Sequence, residues 1–193
     1  MLGAAQRERE LVRIVEEKTV DLRQANEDLL RLSSLDPLTG LANRRVFDQT
    51  LEKECARLKR SGHAVSLVLL DVDAFKALND SQGHQRGDEY LVRVGAELSR
   101  LVRHYVDVVA RYGGEEFALI LPETTAAQAA RLAESVRLAI EGLALPHAAS
   151  PVTPVLTVSV GVSTATPEWS SNPDQLLAAI RPSTRLVRRW IST

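Results

Sequence analysis

The residues of this chain most suited to chemistry are carboxylates. Asp71 and Asp73 close the apolar run Ala64–Leu70, and their i, i+2 spacing points both side chains to one face of a strand. Glu115 and Glu116 directly follow Gly113-Gly114, at the tip of a predicted hairpin. If that hairpin pairs beside the Ala64–Leu70 strand, three or four carboxylates meet at one sheet edge. Carboxylates with no His or Cys nearby select hard, oxygen-preferring cations, Mg²⁺ or Mn²⁺. Mg²⁺ needs only one or two of them, with water and substrate phosphates completing its shell, which is the layout of two-metal phosphoryl or nucleotidyl transfer. One strand-end carboxylate is ordinarily a solvated charge; four flanking predicted strand ends ask for more. Gly113 and Gly114 carry no side chains, so a nucleotide can pass close over the turn.

Lys76 follows the first pair and offers a cation for a phosphate. Asn79 and Asp88 suit a guanine: the Asn amide pairs with O6 and N7, and the carboxylate accepts from N1–H and N2–H₂. On spacing alone the competing reading has Asn79 and Asp88 capping turns and a helix start. His84, in a Gly-flanked loop, is expected to make a structural hydrogen bond.

These residues need a scaffold. Arg45–Arg60 reads as a helix with Val46, Phe47, Leu51, Cys55 and Leu58 on one face, so Cys55 is a small core residue. Ala64–Leu70 is a buried strand. A second helix runs from about Gly87 to Val102, and Val106–Arg111 and Glu116–Leu121 form a hairpin about Gly113-Gly114. Thr124–Leu143 is an Ala-rich helix capped by Thr124 or Thr125, Val155–Ser163 a strand, and Asp174 opens a last helix. The order β-α-β-β-α-β with extra helices predicts an α/β fold with a ferredoxin- or palm-like sheet.

Ahead of this body, residues 1–34 form a predicted coiled-coil stalk helix. From residue 5 it lacks Gly and Pro; Val15, Leu22 and Leu29 fall at one seam position, and Leu11, Lys18, Ala25 and Leu32 at the other. The competing reading is a solvated helix lying on the body. The 35–177 stretch is the predicted catalytic domain and 178–193 an atypical basic tail.

Composition sets the outer bounds. Among 193 residues, 24 Lys+Arg against 25 Asp+Glu give a net charge of −1, and 4% are aromatic. That excludes a nucleic-acid polymer as main partner, which demands a basic footprint and stacking platforms. One cysteine rules out an internal disulfide and a Cys-based zinc site. No run reaches the roughly 18 apolar residues of a membrane span and no signal peptide opens the chain, so a cytoplasmic location is expected.

Asp36-Pro37-Leu38-Thr39-Gly40-Leu41-Ala42-Asn43-Arg44-Arg45, the Asp71–Asp80 run, Gly83-His84…Gly87-Asp88, Arg111-Tyr112-Gly113-Gly114-Glu115-Glu116-Phe117 and Ser159-Val160-Gly161-Val162 together resemble the GGDEF family of diguanylate cyclases, in order and at the family's spacings, from about Ser33 to Leu177. The resemblance implies condensation of two GTP into cyclic di-GMP and two pyrophosphates, with facing half-sites of a homodimer each holding one GTP and two Mg²⁺ (or Mn²⁺). It assigns the metal to Asp71, Glu115 and the Val72 carbonyl, with Glu116 auxiliary. It has Glu115, or a hydroxide held beside it, deprotonate the attacking ribose 3′-hydroxyl. It gives guanine to Asn79 and Asp88, phosphate to Lys76, further substrate contacts to Arg111, Gly113 and Gly114, and coupling of the upstream helix to Asp36 and Arg44. The stalk fits as the dimerising element, with an upstream sensor domain expected in a longer protein.

Two departures stand out. The family's product-inhibition site pairs an Arg with an Asp three residues on; Asp107 is in place, but His104 holds the Arg position and Arg103 is one residue off, so that site is degenerate. After Leu177 the family's last helix and strand are altered or missing, with Pro182 breaking the helix. The altered C-terminus points to impaired activity, and to a second reading as a GTP- or cyclic di-GMP-binding regulatory module. A shift of reading frame near Ile180 would restore the family pattern.

Overall fold

The first two strands of this protein find their first partners not in the next strand but in the one after it, and this sets the topology. The computed structural model describes residues 12–16, 18–19, 34–167 and 173–180. Their elements run β1 (Ala42–Asn43), α1 (Arg44–Ser61), β2 (Val65–Val72), α2 (Phe75–Gln82), α3 (His84–Leu101), β3 (Val108–Arg111), β4 (Glu116–Pro122), α4 (Ala126–Gly142), β5 (Val158–Ala165) and α5 (Pro173–Ile180). The sheet order is β1-β3-β4-β2-β5, antiparallel except for the β1–β3 pair. β4 therefore lies between β2 and β3, and β2 between β4 and β5, giving two interlocked split βαβ units. This is the expected ferredoxin-like arrangement.

Alternation along β2 separates two cores. Val68, Leu70 and Val72 face α3 and α4, where Tyr90, Leu91, Val94, Leu98, Ala133, Val136 and Ile140 are buried. Val65, Leu67 and Leu69 face α1 and α5, against Phe47, Leu51, Cys55, Leu58 and Leu176. Cys55 is buried and free, as a core residue should be. Asp71 continues the second series, so the acidic residue emerges where that core runs out at the strand's end.

Local signals set the helix ends. Asn43 caps α1 by accepting from Val46 N–H at 3.0 Å, and Gly62, at φ +76°, ends it. Thr125, not Thr124, caps α4 through a capping box with Gln128; Thr124 is buried and bonds Pro122 O. The predicted helix from Gly87 begins earlier: His84, expected in a loop, opens α3, and α2 precedes it. Helical geometry continues through Gly87 because nothing in its backbone resists it.

The chain divides into units Met1–Ser34 and Leu35–Thr193. Of the predicted stalk, 12–16 and 18–19 are helical; the rest of the heptad pattern, Pro182 and the tail from 181 lie outside the described residues. No described helix is long and apolar enough to cross a membrane.

Candidate active site

The acidic edge is built by register. Asp71 on β2 lies directly opposite Glu116 on β4 and Ser159 on β5, and cross-strand neighbours on one face sit about 5 Å apart at Cβ. The β2–β4 ladder is extended by Val72 N–H donating to Glu115 O at 3.3 Å, which brings Glu115 beside the strand end. Asp73, one residue past β2, accepts from Thr157 Oγ1 and Ser159 Oγ, each at 2.6 Å.

Among the described residues Asp71 has no such donors. Burial, and then the neighbouring charges of Glu115, Glu116 and Asp73, push its carboxyl up to about 6. All four predicted carboxylates thus act on one point. Among the described residues, Lys, Arg and His form no ion pair with Asp71, Glu115 or Glu116. An uncompensated cluster of hard oxygen donors fits a divalent cation. Among the described residues no three Asp, Glu, His or Cys side chains cage a cation by themselves, so phosphate oxygens and water would complete the shell, as Mg²⁺ ordinarily requires.

The Gly-Gly turn does join β3 to β4, with Arg111 paired to Phe117. Neither glycine adopts a left-handed φ. A Cβ at Gly113 would meet Glu116 Oε2 at 2.5 Å, the far end of an exposed side chain that can move aside.

Arg111, expected to contact substrate, is engaged within the chain. Its Nε and Nη2 donate to Gly114 O at 3.1 and 2.8 Å, and its Nη1 to both Asp36 oxygens at 3.3 Å. Asp36 also accepts from Thr39 N–H at 2.8 Å and Thr39 Oγ1 at 2.7 Å. Burial works to raise the Asp36 carboxyl, but the Thr39 hydrogen bonds and the Arg111 charge outweigh it and hold the group below its ordinary value. Arg44 stacks over Tyr112, 4.6 Å from the ring centroid, and Tyr112 meets Phe47 edge-on. The two residues expected to couple the upstream helix therefore both touch the segment that carries the glycines.

Lys76 is exposed on the first turn of α2. Asn79 and Asp88 lie either side of the α2–α3 junction, and neither caps it: Gly83 occupies the cap position for both helices and α3 has no side-chain cap bond. Asn79 Oδ1 is buried with no hydrogen-bond partner, and Asp88 is exposed. The capping reading is excluded.

At the degenerate site, His104 makes no claim on Asp107. Arg103 binds it instead, with Nη2 2.6 Å from Oδ1 and the Arg103 backbone N–H donating to Oδ2 at 2.8 Å. The same guanidinium reaches Pro122 O and Thr124 Oγ1, and the Asp107 side chain beneath it is only 2% exposed. Sequence spacing could not show this chelate, because it depends on Arg103 leaving the helix axis at Val102.

Comparison with known proteins places this geometry. The family model "Diguanylate cyclase, GGDEF domain" matches residues 33–186, past Leu177, where the sequence reading ends the catalytic domain. Response regulator PleD of Caulobacter vibrioides is 40% identical over 156 residues, covering 81% of this chain and 34% of that protein. Diguanylate cyclase DgcP of Pseudomonas aeruginosa is 39% identical over 137 residues, 71% of this chain and 20% of that protein. The chain thus spans about a third or less of these relatives' length. Among solved structures, the coiled coil and GGDEF domain of DgcB from Caulobacter crescentus, in complex with c-di-GMP, superposes with TM-score 0.70 at 30% identity, covering 86% of each chain. Diguanylate cyclase SiaD of Pseudomonas aeruginosa, in complex with its activator SiaC, gives TM-score 0.70 at 34% identity over 93% of this chain and 67% of that one.

Proposed function

The chain belongs to the GGDEF family of diguanylate cyclases, and on that premise we propose that it condenses two GTP into cyclic di-GMP across a homodimer. The observation that carries the reading is the convergence of Glu115, Glu116 and Asp73 on an Asp71 carboxyl that has no cationic partner among the described residues. A cation joining such a site relieves the repulsion among its carboxylates, and a triphosphate brings one.

In this reading Asp71, Glu115 and the Val72 carbonyl hold the Mg²⁺ or Mn²⁺ ions, two per site when GTP is bound, and Glu116 supports them. Bound there, the ions neutralise charge on the triphosphate as it reacts. Lys76 contacts phosphate, and Asn79 with Asp88 reads guanine. Glu115 accepts the proton of the ribose 3′-hydroxyl. The 3′-oxygen then bonds to the α-phosphorus of the nucleotide on the partner subunit, and the bond from that phosphorus to the bridging oxygen breaks. Pyrophosphate leaves, and the reciprocal attack closes the ring. Gly113 and Gly114 let the nucleotide lie close to backbone. Arg111 braces the turn at Gly114 on which the substrate would lie.

Bringing two half-sites together is a positioning problem worth many orders of magnitude in rate. The 1–34 stalk supplies it as a coiled coil, and Asp36 and Arg44 pass its geometry to the catalytic body at 35–177. With Arg103 already chelating Asp107, product inhibition of the family's usual kind does not operate.

Incubation of the chain with GTP and Mg²⁺, followed by chromatography, tests the reading, with cyclic di-GMP and pyrophosphate the expected products. Binding is measured in parallel with 3′-deoxyguanosine triphosphate, which lacks the attacking hydroxyl. Binding without turnover of GTP selects the regulatory module; no binding of this nucleotide or of cyclic di-GMP overturns both readings.

A further inference from the structure

We propose that Gly87 is a positioning residue that sets base specificity by dictating how the Asn79 amide lies; the proposal rests on the guanine reading of Asn79 and Asp88. Gly87 sits inside α3 with its N–H donating to Gly83 O at 3.3 Å. Its φ is not in the left-handed region, so its backbone does not ask for glycine. Glycine within a helix is destabilising relative to alanine, and this one is buried, so its presence calls for a local cause.

The cause is visible across the junction. A Cβ built on Gly87 would overlap Asn79 Oδ1 and lie 3.0 Å from Phe75 Cζ and 3.1 Å from Asn79 Cγ. The bare Cα of Gly87 is the floor on which the Asn79 side chain rests. Of the amide's two ends, the acceptor Oδ1 is the one buried and unpartnered, and the donor Nδ2 is not. With its oxygen turned into the protein against Gly87, the amide offers N–H to a ligand. It therefore suits a base edge of acceptors, as guanine O6 and N7 provide, and refuses the amino group of adenine. Asp88, the next residue, supplies the acceptor that completes the discrimination. Burying an amide oxygen without a partner costs stability, and the absent side chain of Gly87 is what leaves room for it there.

Gly87→Ala, Asn79→Ala and the double variant test this in the full chain, with binding of 3′-deoxyguanosine and 3′-deoxyadenosine triphosphates as readouts and circular dichroism as the check of folding. Gly87→Ala is expected to weaken guanine-nucleotide binding about 10- to 100-fold, the loss of one bidentate base contact, and to narrow the preference over adenine. In the Asn79→Ala background, where the overlap with the amide is gone and only the edge of the Phe75 ring stays close, Gly87→Ala should cost far less than it does in the parent. A single variant that fails to fold beside a double variant that folds supports the same coupling. Parent-like binding by Gly87→Ala, with a higher melting temperature from its better helix propensity, overturns the proposal while leaving the guanine reading intact. Additive losses in the double variant overturn it too. Parent-like binding by Asn79→Ala overturns the guanine reading and this proposal with it.

Discussion

Asp36 and Asp71 are both partly buried aspartates of the same body, and the fold treats them oppositely. Asp36 is surrounded by donors: two from Thr39 and the Arg111 guanidinium, which hold its carboxyl low. Asp71 is surrounded by acids, and its carboxyl rises to about 6. The first has its partners within the chain and does structural work, tying the start of the body to the Gly114 turn. The second has had its partners left out, which is the signature of a site that waits for something else.

The contrast breaks most visibly at the acidic edge. Glu115→Gln keeps the shape but removes the proton acceptor, and cyclic di-GMP formation should fall about 10²- to 10⁴-fold while 3′-deoxyguanosine triphosphate still binds; unchanged turnover would sink the assigned role. Asp36→Ala removes the acceptor of a half-buried pair and strands Arg111, at an expected cost of about 2 kcal/mol in urea unfolding.

Asp71→Asn should act in the other direction. The folded-state value near 6 lies above the ordinary 3.8, so the group favours folding at low pH and loses that contribution as pH rises through about 6. Without divalent cation at pH 8 the variant should therefore be more stable than the parent, by about 1 kcal/mol after allowing for solvent screening. At pH below 4 the two should unfold alike, and added Mg²⁺ should reverse the order at pH 8. For Asp36, whose folded value is depressed, the stabilisation is present above the ordinary value and fades as pH falls below it, so the two sites respond to acid with opposite sign. The smallest effect concerns neither site: Thr125→Ala, which removes the α4 cap, should cost about 1 kcal/mol and leave turnover unchanged.

The parts written in local pattern were legible. The apolar run of β2, the hairpin and the amphipathic faces of α1, α3 and α4 follow from periodicities of two and 3.6 residues, and the strand ends place the four acids. The α2 helix was not legible: it is eight residues long, starts at Ala74 in a left-handed conformation and ends at Gly83, so its flanks read as loop. Gly87 shows the same difficulty, because a glycine that serves tertiary contact looks identical in sequence to one that breaks a helix. The Arg111–Asp36 pair joins residues 75 apart, and the Arg103–Asp107 chelate depends on side-chain direction. Neither leaves a mark in spacing.

The sheet order has a consequence for when this protein becomes itself. Central β2 pairs along its whole length with β5, from Val65 with Ala165 to Val72 with Val158, and Asp73 takes its hydroxyl partners from the same late segment. Contacts of such long sequence separation form late and slowly. During synthesis, the strand bearing Asp71 emerges with one flank bare until the chain beyond residue 165 has left the ribosome. The hydroxyl support of Asp73 is therefore added last, after β4 has already brought Glu115 and Glu116 to Asp71.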